Sequence, residues 1–492
     1  AVSAPDTMSP LPLALPLALA LVLLSSAAAP ARARVWDLEA DGGAVAGDDT
    51  LATQQRNGAA MNATLAKLRP GDEFLVPAGK RFFMMGGVQA AGLTSVTLRF
   101  EGSLVASDDM KAWPRHGDGQ KARVFEFIEL RGLVNVTLTS SSAPGLNGGS
   151  TGDDGRGVID GRGSTWWGFP GIGYLEIGEN RPRLLVLDGA KDVVVENLFL
   201  KDSPYWTFWA PNADGLEIRN SRVEAYRLSN TSHDIIDLTA FNTDGFDVTG
   251  NDIWIHHSTV FNQDDCFCIK DDSTNVVVEH VNASGLGLTI GSIASNVNNV
   301  TFRNAHMRDT VKGVYLKFRG NGVISNVLFE NIVIDEPTQY PIWIGPAQQS
   351  DDQTNPCAAH PCSLCWPLFS WAECNAPPQA TYINITLRNV VVNSPAGNVG
   401  VILANTSSPM QNVVFDGVVV NNPSTKPAKW GTGYLCEGVA SGVATGGTTP
   451  VPSCFKDDTD AARARRRREA ARAADGGGDG DDGDAEPPAS AA

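Results

Sequence analysis

Short segments in which apolar and polar residues alternate recur through the central part of this chain. An alternation with a period of two is typical of β-strands that bury one face. Successive segments begin mostly 20 to 27 residues apart, and no helix of useful length fits between them. The clearest segments are 192–200, 215–223, 252–260, 275–283, 299–307, 326–334, 382–390 and 412–420.

A repeat length of this size predicts a solenoid. Strands that recur in one direction without hairpin signals indicate a parallel β-helix, in which neighbouring turns lie ~4.8 Å apart. Segments 74–89 and 95–107 predict its first turns, and the helix-permissive segment 61–68 is expected to cover the open N-terminal end of the core. Asn at recurrent turn positions tolerates left-handed backbone and can stack in ladders. A two-sheet sandwich is the alternative, but it would carry hairpin signals.

The two ends of the chain differ in composition from the repeat region. Residues 1–33 contain an apolar run and an Ala-x-Ala cleavage site, so they predict a signal peptide with upstream residues. A retained membrane anchor is the less favoured alternative, because the run is short and interrupted by Pro. Residues 34–455 are predicted to form one all-β domain, and residues 456–492 a disordered low-complexity tail.

The sequence predicts a secreted, extracellular protein. Eight cysteines favour an oxidising compartment, in agreement with the signal peptide. Seven Asn-x-Ser/Thr sequons suit a glycoprotein, although Asn-Val-Thr and Asn-Ile-Thr also arise from the repeat itself. The sequons begin at Asn62, Asn135, Asn230, Asn282, Asn299, Asn384 and Asn405.

Most of the cysteines are expected to form disulfide bonds. Cys436 and Cys454 flank a Gly- and Thr-rich segment and are expected to pair. Four more lie in one loop without the flanking His or second Cys-x-x-Cys of a zinc site, which favours disulfides there too. These four are Cys357, Cys362, Cys365 and Cys374. Cys266 and Cys268 lie too close on one strand to pair with each other, which favours buried free thiols.

The formal net charge of −17 limits the partners of this chain. Nucleic-acid binding requires a basic face, so we expect no nucleic-acid partner. An anionic substrate would have to be met by a local cluster of Lys and Arg. We expect a monomer that makes no stable membrane insertion once the signal peptide is removed.

Three carboxylates stand out in the repeat region: Asp244, followed by Asp264 and Asp265 after 20 and 21 residues. A solenoid with this spacing stacks side chains from neighbouring turns into one site. Lys317 lies further along the same face. Three stacked acids could bind a metal or hydrolyse a glycosidic bond, which needs one acid for the leaving oxygen and one base for water. A third carboxylate helps to keep one of them protonated, because like charges raise a pKa.

Four ordered motifs resemble glycoside hydrolase family 28, the polygalacturonases. They are N-T-D-G-F-D at 242–247, N-Q-D-D-C at 262–266, S-G-L-G-L-T-I-G-S at 284–292 and G-V-Y-L-K at 313–317. The likeness covers roughly residues 35–455, and D-S-P-Y-W-T at 202–207 adds to it. It implies a right-handed parallel β-helix, the pectin-lyase-like solenoid. The implied activity is hydrolysis of pectic α-1,4-galacturonosyl bonds with inversion. It also implies no metal and no other cofactor.

The resemblance assigns a role to each matching residue. Asp264 would be the general acid, and Asp244 and Asp265 would position and deprotonate the attacking water. Asn242 would orient the site by hydrogen bonding, and Lys317 would bind a substrate carboxylate. The residues expected to contact the substrate are Asn242, Gln263, Tyr315 and Lys317.

Two positions depart from the pattern of this family. Leu286 stands where the family has His, and Tyr315 stands where it has Arg. Leu cannot donate a hydrogen bond, and Tyr cannot make a two-pronged contact with a carboxylate. An aromatic ring suits a sugar face better, and Lys312 or Arg319 could restore the lost charge.

The sequence therefore predicts a secreted enzyme that acts on pectic polysaccharide, with polygalacturonan as the expected substrate. Rhamnogalacturonan hydrolase is the alternative within enzymes. A catalytically impaired pectin-binding protein of the cell wall is the alternative from another class. The intact trio of acids favours an enzyme, because a pure binding protein has no need of three clustered carboxylates.

Overall fold

The computed structural model describes residues 33–119, 122–145, 155–167, 180–226, 240–347, 362–363, 365–367, 369 and 371–475, with side chains up to residue 470. The apolar run of the predicted signal peptide, Asn230, Cys357 and the last part of the predicted tail lie outside these residues. Within them, no helix combines the length and the apolar character needed to cross a membrane.

Short strands make up most of the described chain, with one helix near each end. The N-terminal elements are β1 (Val35–Asp37), α1 (Leu51–Leu65), β2 (Glu73–Val76), β3 (Arg81–Met84), β4 (Val88–Ala91), β5 (Thr97–Phe100), β6 (Ser103–Ala106), β7 (Arg115–His116), β8 (Arg123–Val124), β9 (Ile128–Arg131), β10 (Thr137–Thr139), β11 (Val158–Asp160), a 3-10 helix (Gly163–Thr165), β12 (Leu185–Asp188), β13 (Lys191–Glu196) and β14 (Phe199–Lys201).

The strands become longer in the middle of the chain, where several bend from one face to the next. The remaining elements are β15 (Phe208–Arg219), β16 (Arg222–Glu224), β17 (Phe246–His256), β18 (Thr259–Phe261), β19 (Phe267–Ile269), β20 (Ser273–Gly285), β21 (Leu288–Ile293), β22 (Val297–Thr310), β23 (Val314–Phe318), β24 (Gly322–Asp335), β25 (Ile342–Pro346), β26 (Ala380–Asn393), β27 (Gly400–Leu403), β28 (Gln411–Asn421), β29 (Leu435–Glu437), β30 (Gly442–Gly446), β31 (Lys456–Thr459) and α2 (Asp460–Asp475).

The strand pairings form a right-handed parallel β-helix, as predicted. Among the described strands, every pairing is parallel except that of β7 with β8. The pairings define three faces that run the length of the solenoid. One of them, here called the site sheet, contains the first residues of β15 and β17 and the whole of β19, β21, β23, β25 and β27.

Like residues from successive turns stack inside the solenoid and form its core. Val278, Phe302, Phe329 and Leu387 are partners in register on four consecutive turns, and all are fully buried. The rings of Phe302 and Phe329 stack with their centroids 4.7 Å apart. Burial of each such side chain contributes roughly 1.5–3 kcal/mol, so repetition along the axis stabilises the whole solenoid. The alternation in the sequence is therefore the alternation of inward and outward positions.

Asparagine ladders hold the corners between the faces, as the sequence predicts. The Nδ2 of Asn384 donates to Oδ1 of Asn326 at 2.8 Å, and the Nδ2 of Asn412 donates to Oδ1 of Asn384 at 2.9 Å. All three residues have left-handed backbone, with φ near +55°. Asn tolerates this conformation better than other side chains, and its amide both donates and accepts along the stack.

Helix α1 packs on the first strands of two faces, β3 and β4. The predicted segment 61–68 overlaps α1 only at residues 61–65, so the prediction missed the first ten residues of the helix. Gln54 and Asn57 are buried on the inner side of this part and bond to the backbone of Asp49, Val45 and Phe83. Polar residues on the buried side hide the apolar stripe by which an amphipathic helix is recognised.

The prediction of disorder from residue 456 is wrong for residues 456–475. β31 adds a further parallel strand to β30, and α2 follows it directly. Ala462 is buried, and Arg463 and Arg466 bond to Asp458 at 2.9 and 2.5 Å. Ala and Arg are strong helix formers, so a helix forms here without an apolar period.

Two disulfide bonds join described cysteines, Cys362 with Cys374 and Cys436 with Cys454. The second of these is the predicted pair. Cys365 is also disulfide-bonded, which agrees with the prediction of disulfides for that loop. Cys266 and Cys268 are buried free thiols, as predicted.

Candidate active site

The predicted acids converge at the edge of the site sheet, where each turn enters a short strand. Asp244 lies in the turn before β17, and Asp264 and Asp265 lie in the turn before β19. One oxygen from each of the three carboxylates lies within 4.8 Å of the others. Consecutive turns of a parallel β-helix are stacked in register, which is why a spacing of about twenty residues brings them together.

Asp264 is held by backbone N–H groups from both sides. The N–H of Asn242 donates to Oδ2 at 2.9 Å, and the N–H of Asp265 donates to Oδ1 at 2.8 Å. Burial and the neighbouring charge of Asp265 raise the pKa of Asp264 to about 6, despite the opposing charge of Lys317. A buried carboxyl with such a pKa can carry a proton at mildly acid pH.

Asp265 is in the opposite electrostatic situation. Burial by itself raises its pKa, but the charges of Lys317 and Lys270 and two side-chain hydrogen bonds bring the pKa below its usual value. The Nζ of Lys317 donates to both of its oxygens at 2.8 and 3.1 Å, and Thr289 Oγ1 donates at 2.9 Å. Asp265 is therefore kept ionised beside a neighbour that holds its proton up to a pH of about 6.

Asp244 lies beside a second buried pair of charged residues, Asp247 and Lys270. The Nζ of Lys270 lies 3.5 Å from Asp244 and 3.3 Å from Asp247. Burial and the nearby Asp264 raise the pKa of Asp244 well above its usual value, and burial raises that of Asp247 to about 6. Oδ1 of Asp244 has no hydrogen-bond partner in the described part of the chain, so it can accept a bond from water or substrate.

Three members of this cluster were missed in the sequence: Asp247, Lys270 and Thr289. Asp247 pairs in register with Cys268, Cys268 with Thr289, and Thr289 with Tyr315. Asp247 and Thr289 lie within the sequence motifs, next to buried Phe246 and Leu288. Only the strand register shows that they stack on neighbouring turns of one cluster.

Tyr315 lies beside the acids but is only 2% exposed. The Nζ of Lys317 lies over its ring, 4.3 Å from the centroid, and its hydroxyl is hydrogen-bonded to Ser363. The expected contact of Tyr315 with substrate stays a prediction, since these neighbours cover the ring in this structure. Leu286, the other position that departs from the family pattern, packs against the cluster of buried residues around Tyr315. Its N–H donates to the Asp264 carbonyl at 2.9 Å.

The two other predicted substrate contacts lie in the same turns as the acids. Asn242 orients Asp264 through its backbone N–H, and its side-chain oxygen accepts a bond from Arg181 at 3.2 Å. Gln263 is buried next to Asp264. Gly285 completes this edge, since a Cβ at this position would lie 2.2 Å from the Asp264 carbonyl oxygen. The close approach explains why a glycine is required there.

Lys312, one of the two residues expected to replace the lost charge, lies beside Tyr315. Its Nζ donates to Gln339 Oε1 at 3.0 Å and lies 4.9 Å from the centroid of the Tyr315 ring. Burial and the nearby Lys317 lower its pKa to about 7. It thus adds a group near the acids that is partly charged at neutral pH.

Two lysine side chains supply positive charge beside the three carboxylates. Lys317 contacts Asp265, and Lys270 contacts Asp244, so two ammonium groups already occupy sides of the cluster that a metal ion would need. These contacts fit an acid/base site better than a cation site. The expectation that no metal is required stays a prediction.

The sequence motifs, the fold and this geometry agree with one family of proteins. The model of Glycosyl hydrolases family 28 matches residues 73–364, which is more than half of the chain. The chain belongs to glycosyl hydrolase family 28. All three acids and Lys317 of this family 28 site lie within the matched segment.

Proteins similar to this family 28 chain include two probable polygalacturonases and a probable rhamnogalacturonase. The chain is 30% identical over 240 residues to a probable endopolygalacturonase C of Aspergillus aculeatus, covering 47% of this chain and 57% of the relative. It is 33% identical over 171 residues to a probable rhamnogalacturonase E of Aspergillus niger, covering 33% and 35%. A probable exopolygalacturonase B of Emericella nidulans is 25% identical over 396 residues, covering 76% and 79%. The chain thus spans well under two thirds of the first two relatives.

Solved structures share the architecture of this family 28 chain. The Family 28 exopolygalacturonase of Yersinia enterocolitica superposes with a TM-score of 0.57 at 15% identity, covering 87% of this chain and 78% of that one. The endo-xylogalacturonan hydrolase of Aspergillus tubingensis superposes with a TM-score of 0.52 at 18% identity, covering 86% and 98%. At such identities the likeness establishes the parallel β-helix and nothing about substrate.

Proposed function

We propose that this family 28 protein is a secreted glycosidase that hydrolyses α-1,4-galacturonosyl linkages of pectic polysaccharide. One observation carries the proposal: two adjacent buried carboxyls have pKa values shifted in opposite directions. The pKa of Asp264 is raised to about 6, and that of Asp265 is lowered below its usual value. Acid/base hydrolysis of a glycoside requires a protonated and an ionised carboxyl together at one bond.

In the proposed reaction, Asp264 gives its proton to the glycosidic oxygen as the bond to the anomeric carbon breaks. Water attacks that carbon, and the ionised Asp265, with Asp244 beside it, accepts a proton from the water. The proton count closes when Asp264 regains a proton from solvent and the base releases one. The Oδ1 of Asp244, which has no hydrogen-bond partner among the described residues, would hold the water. Attack by water, and not by a carboxylate, gives an inverted product.

Lys317 supports the choice of an acidic sugar as substrate. Its ammonium has three N–H donors, and the only acceptor that it contacts among the described residues is Asp265. A donor that remains can bind a galacturonate carboxylate beside the cleaved bond. Partly charged Lys312 lies on the same part of the site and strengthens the local positive potential.

Rhamnogalacturonan hydrolysis is the second candidate, and one feature favours it. Leu286 and Tyr315 leave this site with fewer fixed cations than the family pattern, which suits a backbone that alternates acidic and neutral sugars. Similarity to the probable rhamnogalacturonase E of Aspergillus niger over 171 residues agrees with this alternative.

A substrate panel separates the two candidates. Purified protein is incubated with polygalacturonate, rhamnogalacturonan and xylogalacturonan, and new reducing ends are measured together with the product anomer by proton NMR. We expect the fastest release from polygalacturonate and an inverted anomer. Faster release from rhamnogalacturonan would support the second candidate, and no release from any of the three would support a binding protein instead.

The pH dependence of the reaction should show the opposite pKa shifts of the two acids. Asp264 acts as an acid only while protonated, so kcat/KM should fall about tenfold per pH unit above pH about 6. Asp265 stays ionised in acid because its pKa is lowered, so activity should persist down to about pH 4. Initial rates from pH 3 to pH 8 measure this profile. A rate that rises between pH 6 and pH 8 would contradict the assignment of Asp264 as the acid.

The proposed site of action is outside the cell, where the protein would act as a monomer on pectin. The disulfides Cys362–Cys374 and Cys436–Cys454 support an oxidising location. Fractionation of an expressing culture, followed by size-exclusion chromatography of the secreted protein, measures location and oligomeric state.

A further inference from the structure

Two large aromatic side chains lie exposed beside each other. Phe369 is 46% exposed and Trp371 is 62% exposed. Their rings stack, with centroids 5.5 Å apart and an angle of 19° between the planes. The other large apolar side chains exposed in the described residues do not pair in this way with one another. Contiguous apolar surface of this kind is uncommon on soluble proteins and marks places where they bind other molecules.

The aromatic pair is held in place by its surroundings. The N–H of Phe369 donates to the Cys365 carbonyl at 2.8 Å, and the N–H of Ala372 donates to the Phe369 carbonyl at 3.2 Å. The disulfide between Cys362 and Cys374 closes the segment on both sides of the pair. Fixed geometry lowers the entropy cost of binding, since the rings need not be ordered by the ligand.

The segment that carries the pair is joined to the acid/base site. Ser363 is hydrogen-bonded to the hydroxyl of Tyr315, which contacts Lys317. Trp366 packs on Trp343 at a centroid distance of 5.9 Å, and Trp343 is the neighbour of Tyr315 on the next turn of the site sheet. Ser363 and Trp366, which precede the exposed rings in the chain, therefore contact one end of the site.

We propose that Phe369 and Trp371 form a sugar-binding platform that takes a pyranose ring of the same pectic chain, outside the sugars that flank the cleaved bond. The C–H face of a pyranose is apolar and flat, and it matches the face of an aromatic ring. The platform carries no charge, so it can bind a neutral or an acidic sugar, whereas Lys317 serves the carboxylate.

Other occupants fit the platform less well. Two side chains offer far less than the ~800 Å² per partner that a stable protein interface buries. The net charge of −17 also opposes association with a second copy of this chain. A single sugar ring matches the size of the pair. This inference rests on the proposed function, because it takes a pectic chain as the ligand.

The test compares polymer with a galacturonate trimer, which has no sugars beyond the few nearest the cleaved bond. In Trp371→Ala, the KM for polygalacturonate should rise about tenfold, the upper range for one aromatic contact. The kcat, and both constants for the trimer, should stay as in the wild type. Trp371→Phe should restore most of the affinity. Trp254→Ala is the matched control, since Trp254 is 43% exposed on β17 but lies on another face.

The outcomes separate this inference from the proposed function. Equal KM values for Trp371→Ala and Trp254→Ala on polymer, with an active wild type, would overturn the platform. An inactive wild type would overturn the proposed function instead. If the wild type is inactive, affinity gels that contain each polysaccharide still compare binding by the wild type with binding by Trp371→Ala. Equal mobility of the two proteins in these gels would overturn the platform. Near-ultraviolet circular dichroism checks that each variant is folded, and Phe369→Ala gives a second variant with the same expected change.

Discussion

Asp264→Asn is expected to lower the rate of reducing-end release from polygalacturonate by about 10²–10⁴-fold, the contribution typical of general acid–base catalysis. The amide cannot give a proton to the leaving oxygen. It has nearly the same shape as the protonated carboxyl, and its oxygen can accept the bond that Asn242 donates at 2.9 Å. Initial rates at pH 5 measure the loss, and KM should change little, because the proton is needed in the transition state and not in the bound complex.

The stability of the same variant at pH 7 should stay within about 1 kcal/mol of that of the wild type, because two effects offset each other. Its NH₂ group cannot accept the bond that the Asp265 N–H donates at 2.8 Å, but the variant also removes a buried charge. Burial raises the pKa of Asp264 to about 6, so ionised Asp264 is less favourable in the folded state than in the unfolded chain. Its contribution to stability therefore falls as the pH rises from about 4 to about 6 and stays low above that. Asp214→Asn, on an exposed part of β15, is the control for a change of charge alone. Undiminished activity of Asp264→Asn would remove Asp264 from the mechanism.

Lys317→Met should have the largest effect on stability, because it leaves Asp265 buried without its main counter-ion. Removal of one partner of a buried ion pair costs ~3–5 kcal/mol. Urea unfolding at pH 7 measures this loss. The loss of stability should shrink as the pH falls. In the wild type, the ion pair contributes its full stability above ~3.9, the pKa of Asp in the unfolded chain, and loses it below the lowered pKa of Asp265 in the folded protein. Activity should fall too, because Asp265 would no longer be held ionised.

A double variant distinguishes the loss of the pair from a packing defect. Lys317→Met with Asp265→Asn removes both charges, so it should recover a large part of the stability that Lys317→Met loses. It should remain inactive, since the base is gone. Lys191→Met is the control, because Lys191 is exposed and its pair with Asp214 should contribute less than ~1 kcal/mol. Equal destabilisation by the single and double variants would assign the effect to packing.

The sequence was sufficient for the parts of this protein that repeat. Alternation at β20, β22, β24 and β26 is strong because each strand buries one face, and the same turn recurs with Asn at its corner. The repeat length alone predicts that Asp244 lies next to Asp264. Periodicity carries this information because each turn contacts its neighbours in register.

The parts that do not repeat were harder to predict. Lys270 follows β19 at a position that looks like an exposed lysine, and only the stacked turns show that it lies between Asp244 and Asp247. The buried polar face of α1 and the apolar-poor α2 both lack the stripe that identifies a helix. Ser363 shares no periodic pattern with Tyr315, so their hydrogen bond depends on a long connection that a sequence does not position.

The folded end of the chain at β31 and α2 has a consequence for solubility. A solenoid of parallel strands ends in an open edge, and an open edge can pair with the edge of another molecule. Charged side chains beside an edge prevent such pairing in natural sheets. Arg463 and Arg466 bring charge to this end of the solenoid, paired with Asp458 on β31. These charges therefore oppose end-to-end pairing of the last described turn with a second copy, an effect independent of the chemistry at the acids.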